Sequence, residues 1–419
     1  MRILLTNRTL AERGGTQTYV RDLATALLRR GHAPVVYSPR LGEVADEIRS
    51  ATIPVIDDLA TAPFRPDVIH GHHHPETMTA LLHHRGVPAV FVCHDWQAWH
   101  DVPPRFPRIL RYVAVDETCR DRLVLEEGIP EANVELLLNF VDLQRFGLRP
   151  ALPQRPAKAL VFSNDVDETQ ALPAIREACA RHAITLDVLG SGAGTASRTP
   201  ERVLGAYDLV FARGRSAIEA MAVGCAVILS GVERFGEMVT TARFEELRHL
   251  NFGRRRLQRP FVADAVAAEI GGYDAADAAA VTERLRAVAG LESAVDRWIT
   301  LYGELDGQRC TSDADGEWRA AAQYVRAWEK QWTILARGIA ERESAQRWLD
   351  ERLAERERND SEHQRLAREH AELAAACGRL RAELAAHYAS AAVRLRNRIV
   401  AIPGIGRIAR ALARVAAGR

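Results

Sequence analysis

Lysine is nearly missing from this chain: only Lys158 and Lys330 occur, and arginine supplies the rest of the 56 basic residues. The skew reads as coding bias and not as a binding signal, because 55 acidic residues leave a formal net charge of +1. So balanced a chain carries no bulk signal for nucleic acid. Cys-x-x-Cys pairs are absent as well. Cys93, Cys119, Cys179, Cys225, Cys310 and Cys377 are scattered, several in apolar runs, which predicts buried thiols in a reducing cytosol. No apolar run approaches the ~20 residues of a membrane span, and the opening MRILLTN lacks a secretory apolar region. The expected location is the cytoplasm. The first glycine loop, RTLAERGGTQT, has no Gly-x-Gly-x-x-Gly, which argues against a dinucleotide-binding dehydrogenase.

At 419 residues, 47% of them hydrophobic, the chain is too long for one ordinary core and suits about two globular units with additions. Residues 3–5 are a short apolar strand, followed by the Gly14-Gly15 loop, an amphipathic helix over 16–30 and a strand at 35–37. This βαβ order predicts a parallel, doubly wound sheet. Later strands are expected at 68–70, 89–92, 112–115 and 134–137, with a helix over 118–127 closed by Gly128. Pro-rich PALPQRPAK at 150–158 has linker composition. A second alternation follows: strand 159–162, helix 172–182, strand 186–189. Residues 263–302 read as helical. Two α/β halves imply a cleft between them, where ligands of such sheets usually sit.

The richest stretch is 207–231, YDLVFARGRSAIEAMAVGCAVILSG. Residues 209–212 and 226–229 are short apolar strands. Between them Gly214 allows a sharp turn, Ser216 is the expected helix cap, Glu219 falls in the first turn and Gly224 ends the helix. A helix N-terminus just past a parallel strand, flanked by Arg213 and Arg215, is suited to a phosphorylated ligand.

Beyond Gly307 the pattern changes. Trp318, Val325, Trp328, Trp332, Leu335 and Ile339 recur at helical spacing, and Leu366, Leu373 and Leu380 repeat every seven residues among Glu and Arg. This predicts a long helix or coiled coil, interrupted at His370 and Cys377, and a homo-oligomer through it. Residues 391–419 hold no acid and carry an apolar face broken at Pro403-Gly404, the composition of a helix lying on an anionic membrane surface.

Four passages together resemble a GT-B glycosyltransferase, more narrowly the retaining group called family four. GGTQTYVRDLATALLRRGHAPVVY is similar to that family's first glycine loop and helix, and PDVIHGHH to its strand ending in histidine. FVCHD is similar to the apolar-His-Asp passage on the cleft side, and AVDETCRDRLVLEEGIPEANVELLLNFVDLQRF to the segment before the interdomain linker. The 207–231 stretch resembles the donor motif. The likeness covers roughly residues 1–305. It implies two Rossmann-like domains, 1–149 on the acceptor side and 150–307 on the nucleotide-sugar side, followed by a helical extension at 308–390 and a basic tail at 391–419. It also implies a UDP- or GDP-sugar co-substrate, a glycan or lipid-linked acceptor, retention, and no metal or cofactor. Gly14, Gly15, Arg213, Gly214, Arg215 and Ser216 would then meet the nucleotide-sugar, Glu219 its ribose, and His94 and Asp95 the transferred sugar.

The sequence departs from that pattern at three places. Phe140 stands where glycine is usual, Phe211 where an upstream acid is usual, and FSNDVDET at 162–169 lacks the basic pair that grips the diphosphate. These departures keep two other readings open, a non-catalytic scaffold and a sugar-nucleotide epimerase or hydrolase. The bland alternatives are a core role for Trp96 and Trp99, plain turns at Gly190, Gly192 and Gly194, and a solvated loop for Arg254, Arg255 and Arg256. His70, His72, His73, His74 and Glu76 have the look of metal ligands, but zinc needs three or four that converge.

Overall fold

The computed structural model describes residues 1–165, 169, 171–195, 197–306 and 314–416. Strand β1 (Arg2–Thr6) leads through the glycine loop into α1 (Gly15–Arg29), which lays Tyr19, Val20, Leu23, Ala24 and Leu27 on the sheet at helical spacing. Then come β2 (Ala33–Tyr37), α2 (Glu43–Ser50), β3 (Val55–Ile56), β4 (Val68–His72), α3 (His74–His83), β5 (Ala89–Cys93), β6 (Ile109–Ala114), α4 (Glu117–Asp121) and β7 (Val134–Leu136). All pair in parallel, in the order β3-β2-β1-β4-β5-β6-β7. Helices cover both faces, so the central strands read as unbroken apolar runs. β4 is the exception, because VIHGH is buried throughout despite its two histidines.

The second domain repeats the plan with β8 (Lys158–Phe162), α5 (Ala171–Arg181), β9 (Thr185–Leu189), α6 (Pro200–Val203), β10 (Leu209–Ala212), α7 (Gly214–Val223) and β11 (Ala226–Ser230). β12 (Arg234–Met238), α8 (Phe244–His249) and β13 (Arg259–Pro260) follow. The sheet order is β13-β12-β11-β10-β8-β9, and β12 and β13 are antiparallel additions. Only three residues separate β11 from β12, and a connection that short can join antiparallel strands but not parallel ones. The expected wholly parallel sheet therefore gains an antiparallel edge.

Two helical expectations change in detail. The helix expected over 118–127 is α4, capped by the Asp116 carboxylate on the Cys119 N–H, followed by a wider turn at Arg122–Glu126. The helical run at 263–302 is three helices: α9 (Ala263–Gly271), α10 (Ala275–Val288) and α11 (Leu291–Asp306). Asp274 caps the second, and Gly290 marks the break before the third.

α11 returns to the first domain. Leu291, Val295, Trp298, Leu301, Tyr302 and Leu305 are buried in its core, and Trp298 Nε1 donates to the Tyr19 hydroxyl at 3.0 Å. At roughly 2 kcal/mol per buried side chain, that face holds α11 on the first sheet. The chain thus crosses between domains twice, and the crossings pair: Val141 N–H donates to Ala289 O, and Leu291 N–H to Val141 O, both at 2.9 Å.

Helix α12 (Ala314–Ala389) starts on the same domain, with Glu317 paired to the buried Arg108 at 2.9 Å and Ala321 in the core. Residues Met1–Val325 form one compact unit and Arg326–Arg419 another. The second comprises the rest of α12, then α13 (Ala391–Ala401) and α14 (Ile405–Ala416), separated at Pro403-Gly404. Leu366, Leu373 and Leu380 are exposed. Among the described cysteines, Cys93, Cys119, Cys179 and Cys225 are buried as expected, but Cys377 is exposed on α12; Cys310 lies outside the described residues. No helix of the described residues is long and apolar enough to cross a membrane.

Candidate functional site

The site is organised by the start of α7. Gly214 has φ +54°, a backbone region that favours glycine, and its N–H donates to Phe252 O at 3.0 Å. That bond fixes the helix start at Gly214, with Arg213 as an extended cap residue and no side-chain cap. Ser216 is therefore not the cap: it stands inside the first turn, and Glu219 falls in the second. Phe211 is buried in the second-domain core within β10, so a ligand does not reach it, and Arg213 and Arg215 are the side chains at the helix mouth.

Two adjoining cavities open there, of about 310 and 350 Å³. They share Gly15, Phe162, Ser163, Asn164, Arg215 and Ser216, which makes them lobes of one cleft. The first lobe holds Gly14, Arg145, Gly190 and Glu219, and the second holds His94, Asp95, Trp96, Arg213, Gly214 and Arg254. The nine residues expected at the site thus fall on one cleft. A Cβ on Gly15 would meet nothing within 4 Å, so the fold itself does not demand glycine there. Gly190 is different: a Cβ would sit 1.7 Å from Ser163 O, so this glycine lets the β8 and β9 loops touch and is more than a plain turn.

Arg215 is the hub between the lobes. Its Nη2 lies 2.9 Å from Asp22 Oδ2 and 3.5 Å from Glu219 Oε1, and its guanidinium sits over Phe140, 5.6 Å from the ring centroid. Phe140, in place of glycine, is thus a buried platform for this arginine. Burial pushes Asp22 up, but Arg21, Arg215 and Arg145 outweigh it and hold the carboxyl below its ordinary range. For Glu219 burial wins over Arg215 and Arg145, and the carboxyl is raised. Nε and Nη1 of Arg215 have no hydrogen-bond partner, leaving donors for an anion.

In the second lobe Arg213 and Arg254 join Arg215. Arg213 reaches Asp165 at 3.1 Å, and burial and the nearby Arg254 both lower its pKa. Arg254 forms no ion pair among the described residues, whereas Arg255 pairs with Asp121 and Arg256 with Glu237 and Glu246. The triplet is thus a solvent-exposed loop at Arg254 and Arg255, as the bland reading had it, but one whose first two members also line the cleft and whose last two are ion-paired. His94 Nε2 lies 2.6 Å from His72 Nδ1 with the rings stacked, and burial, reinforced by Arg215 and His100, pushes it down to about 3. At neutral pH His94 is an uncharged hydrogen-bonding group. The Asp95 carboxylate accepts from the Gln97 and Ala98 N–H groups at 2.7 and 3.0 Å and closes its own turn.

Among the described residues, the histidine-rich stretch does not gather its own histidines and Glu76 into one ligand grouping. His73, His100 and Asp101 are the one grouping among the described residues with ligand atoms mutually within 4.8 Å. His73 Nδ1 accepts the Arg8 backbone N–H at 3.1 Å, and His100 Nδ1 lies 3.2 Å from Arg8 Nη1. Each neutral ring then carries its proton on Nε2, which leaves no lone pair there for a metal, and the Arg8 guanidinium repels a cation. His70 and His74 point elsewhere, to the hydroxyls of Tyr302 and Tyr324.

Sequence reasoning missed Asp22 and Arg145, and gave Arg254 only the bland reading of its basic triplet. Asp22 left a signal, an acid on the apolar stripe of α1 among Tyr19, Leu23 and Ala26. The triplet itself was visible, but the approach of Arg254 to the cleft depends on how the loop after α8 packs on α7.

Residues 13–145 match the model of the domain described as Glycosyltransferase Family 4. No curated protein matches the chain in sequence. Among solved structures, a glycosyltransferase from Rickettsia africae is similar at TM-score 0.54 and 14% identity, over 73% of this chain and 99% of that chain. HepE of Anabaena, in complex with UDP and glucose, is similar at TM-score 0.54 and 14% identity, over 73% of this chain and 100% of that chain. Sucrose-phosphate synthase of Thermosynechococcus elongatus follows at TM-score 0.50 and 15% identity, over 73% of this chain and 98% of that chain. At such identities the structures speak to fold alone. With two wound sheets facing one cleft and the family-four match across the first of them, the chain has the GT-B fold and resembles the glycosyltransferases of family four.

Proposed function

We propose that the protein transfers a sugar from a UDP- or GDP-sugar to a glycan or lipid-linked acceptor, without a metal and with retention of anomeric configuration. The observation that carries this reading is the cleft at α7, where the helix N-terminus, Arg213, Arg215 and Arg254 converge between two wound domains. A leaving diphosphate needs that concentration of positive charge and N–H groups as the anomeric bond breaks. Glu219 in the adjoining lobe is placed to accept from ribose hydroxyls, and neutral His94 to hydrogen-bond the sugar. Retention comes from the family resemblance alone.

The test is transfer from labelled nucleotide-sugars to lipid-linked acceptors in EDTA, with calorimetric binding of UDP and GDP. Arg254→Ala is expected to weaken diphosphate binding roughly tenfold, the value of one charge-assisted contact. Absence of any nucleoside diphosphate binding rejects the reading, and product formed from donor alone points to an epimerase or hydrolase.

The same reading places the protein on a membrane surface through α14, whose Ile408, Leu412 and Val415 are exposed along a helix bearing Arg407, Arg410 and Arg414. The full-length protein is expected to bind vesicles rich in phosphatidylglycerol and to be released by salt near 0.5 M, well above ~0.1 M where the screening length is about 10 Å. Equal binding to neutral vesicles rejects the electrostatic anchor.

A further inference from the structure

A third cavity, of about 300 Å³, lies where both interdomain crossings run side by side. Leu136 lines it from the end of β7, Leu137 and Asn139 from the first crossing, Ala289 from the second, with Trp298 from α11 and Arg248 from α8. Asn139 also lines the second lobe of the cleft.

Arg248 is the unusual member. It is 4% exposed, and Nη2 donates to Asn139 O at 2.6 Å, while Nε and Nη1 have no hydrogen-bond partner. It forms no ion pair among the described residues. Other charges around the cavity are already matched: Glu245 by Arg284 at 3.2 Å, Arg297 by Glu135 at 2.5 Å, and His249 beside Glu117 at 3.8 Å. One cation is left without a counter-charge in a wall that mixes apolar side chains with polar ones. Removing such a charge from water is costly unless an anion compensates it. Burial accordingly lowers the guanidinium to about 10, against a smaller opposing pull from Glu245.

We propose that this cavity binds a small organic monoanion, a carboxylate on an apolar body, with Arg248 as its counter-charge. The single unmatched charge sets the valence, and the leucine and tryptophan walls select an apolar body over a hydrated inorganic ion. The volume lies at the small end of ligand pockets, which start at about 300 Å³. Because the occupant touches both crossings, it braces the hinge on which the two domains meet. The inference does not depend on which donor the cleft takes.

Calorimetry on the full-length protein tests it, with benzoate as the probe and benzyl alcohol as its uncharged counterpart. Benzoate is expected to bind saturably, at least tenfold tighter than the alcohol. Val288→Glu, at a rim position that is 54% exposed, puts a like charge at the mouth and is expected to weaken benzoate roughly tenfold without shifting the unfolding midpoint. Arg248→Met is expected to erase the preference for benzoate. Equal affinity for the two probes overturns the proposal. So does benzoate binding that Val288→Glu leaves unchanged, as capture by the cleft arginines would be.

Discussion

Arg215→Met is expected to lower UDP affinity about 100-fold and to cost the fold about 2 kcal/mol. Three consequences of one side chain add up to that result. The variant removes the unpartnered Nε and Nη1 donors that stand between the two lobes, and hydrogen bonds to charged groups are worth about 1.5–3 kcal/mol each. It also takes from Glu219 its nearest cation, 3.5 Å away, so a carboxyl already raised by burial rises further. A protonated Glu219 no longer accepts two ribose hydroxyls as a carboxylate does. Finally, it breaks the 2.9 Å link across the cleft to Asp22. Asp22 keeps Arg21 and Arg145, at 2.7 and 3.0 Å, and the stability loss is therefore smaller than the ~3–5 kcal/mol of stranding a buried charge. Calorimetry with UDP and denaturant unfolding of the same variant check both numbers. Unchanged affinity would leave Arg213 and Arg254 as the whole diphosphate grip, and unchanged stability would show that the domains do not depend on this latch.

The same arginine shows what was and was not legible in the sequence. Gly214, Arg215 and Glu219 stand close together in the chain, between a short apolar strand and a helical run, so strand period and glycine placement alone bring them to one turn. The first-domain strands were readable for a similar reason, because burial on both faces leaves apolar runs that need no partner to be recognised. Asp22 is 193 residues from Arg215, and the pairing exists only because α1 of one domain faces α7 of the other. Ser216 looked like a cap because cap preference is local, yet the bond from the Gly214 N–H to Phe252, 38 residues on, set the helix start three residues earlier. The return of α11 is of the same kind. Trp298 and Tyr302 carry a helical pattern that any core would accept, and the choice of the first domain rests on Tyr19 and His70 lying within hydrogen-bonding reach.

The buried histidines make the first domain acid-labile, and stability there is expected to fall steeply between pH 6.5 and pH 5. Burial is the first cause of the shift in every case: His70 and His94 are pushed down to about 3, His74, His84 and His100 to about 4, and His72 and His73 well below the ordinary value. Each stays neutral in the native state while the unfolded chain takes up its proton near pH 6.5. Their stabilisation is complete above that pH and is lost as pH falls toward the native values. Acids raised by burial act in the opposite sense, since they hold a proton in the native state that the unfolded chain has released. Glu76 and Asp101 are pushed up to about 7, and Asp116 is raised as well. Seven histidines against three acids leave a net uptake of protons on unfolding, so stability falls as pH drops through this window. A total stability of about 5–15 kcal/mol leaves a narrow margin against such a loss. Guanidinium titrations followed by tryptophan fluorescence at pH 7.5, 6.5 and 5.5 measure the slope directly. Asp101→Asn removes one opposing acid and should steepen it by about 1.4 kcal/mol per pH unit. A stability that stays flat from pH 7.5 to 5.5 would mean that water reaches these rings and protonates them in place.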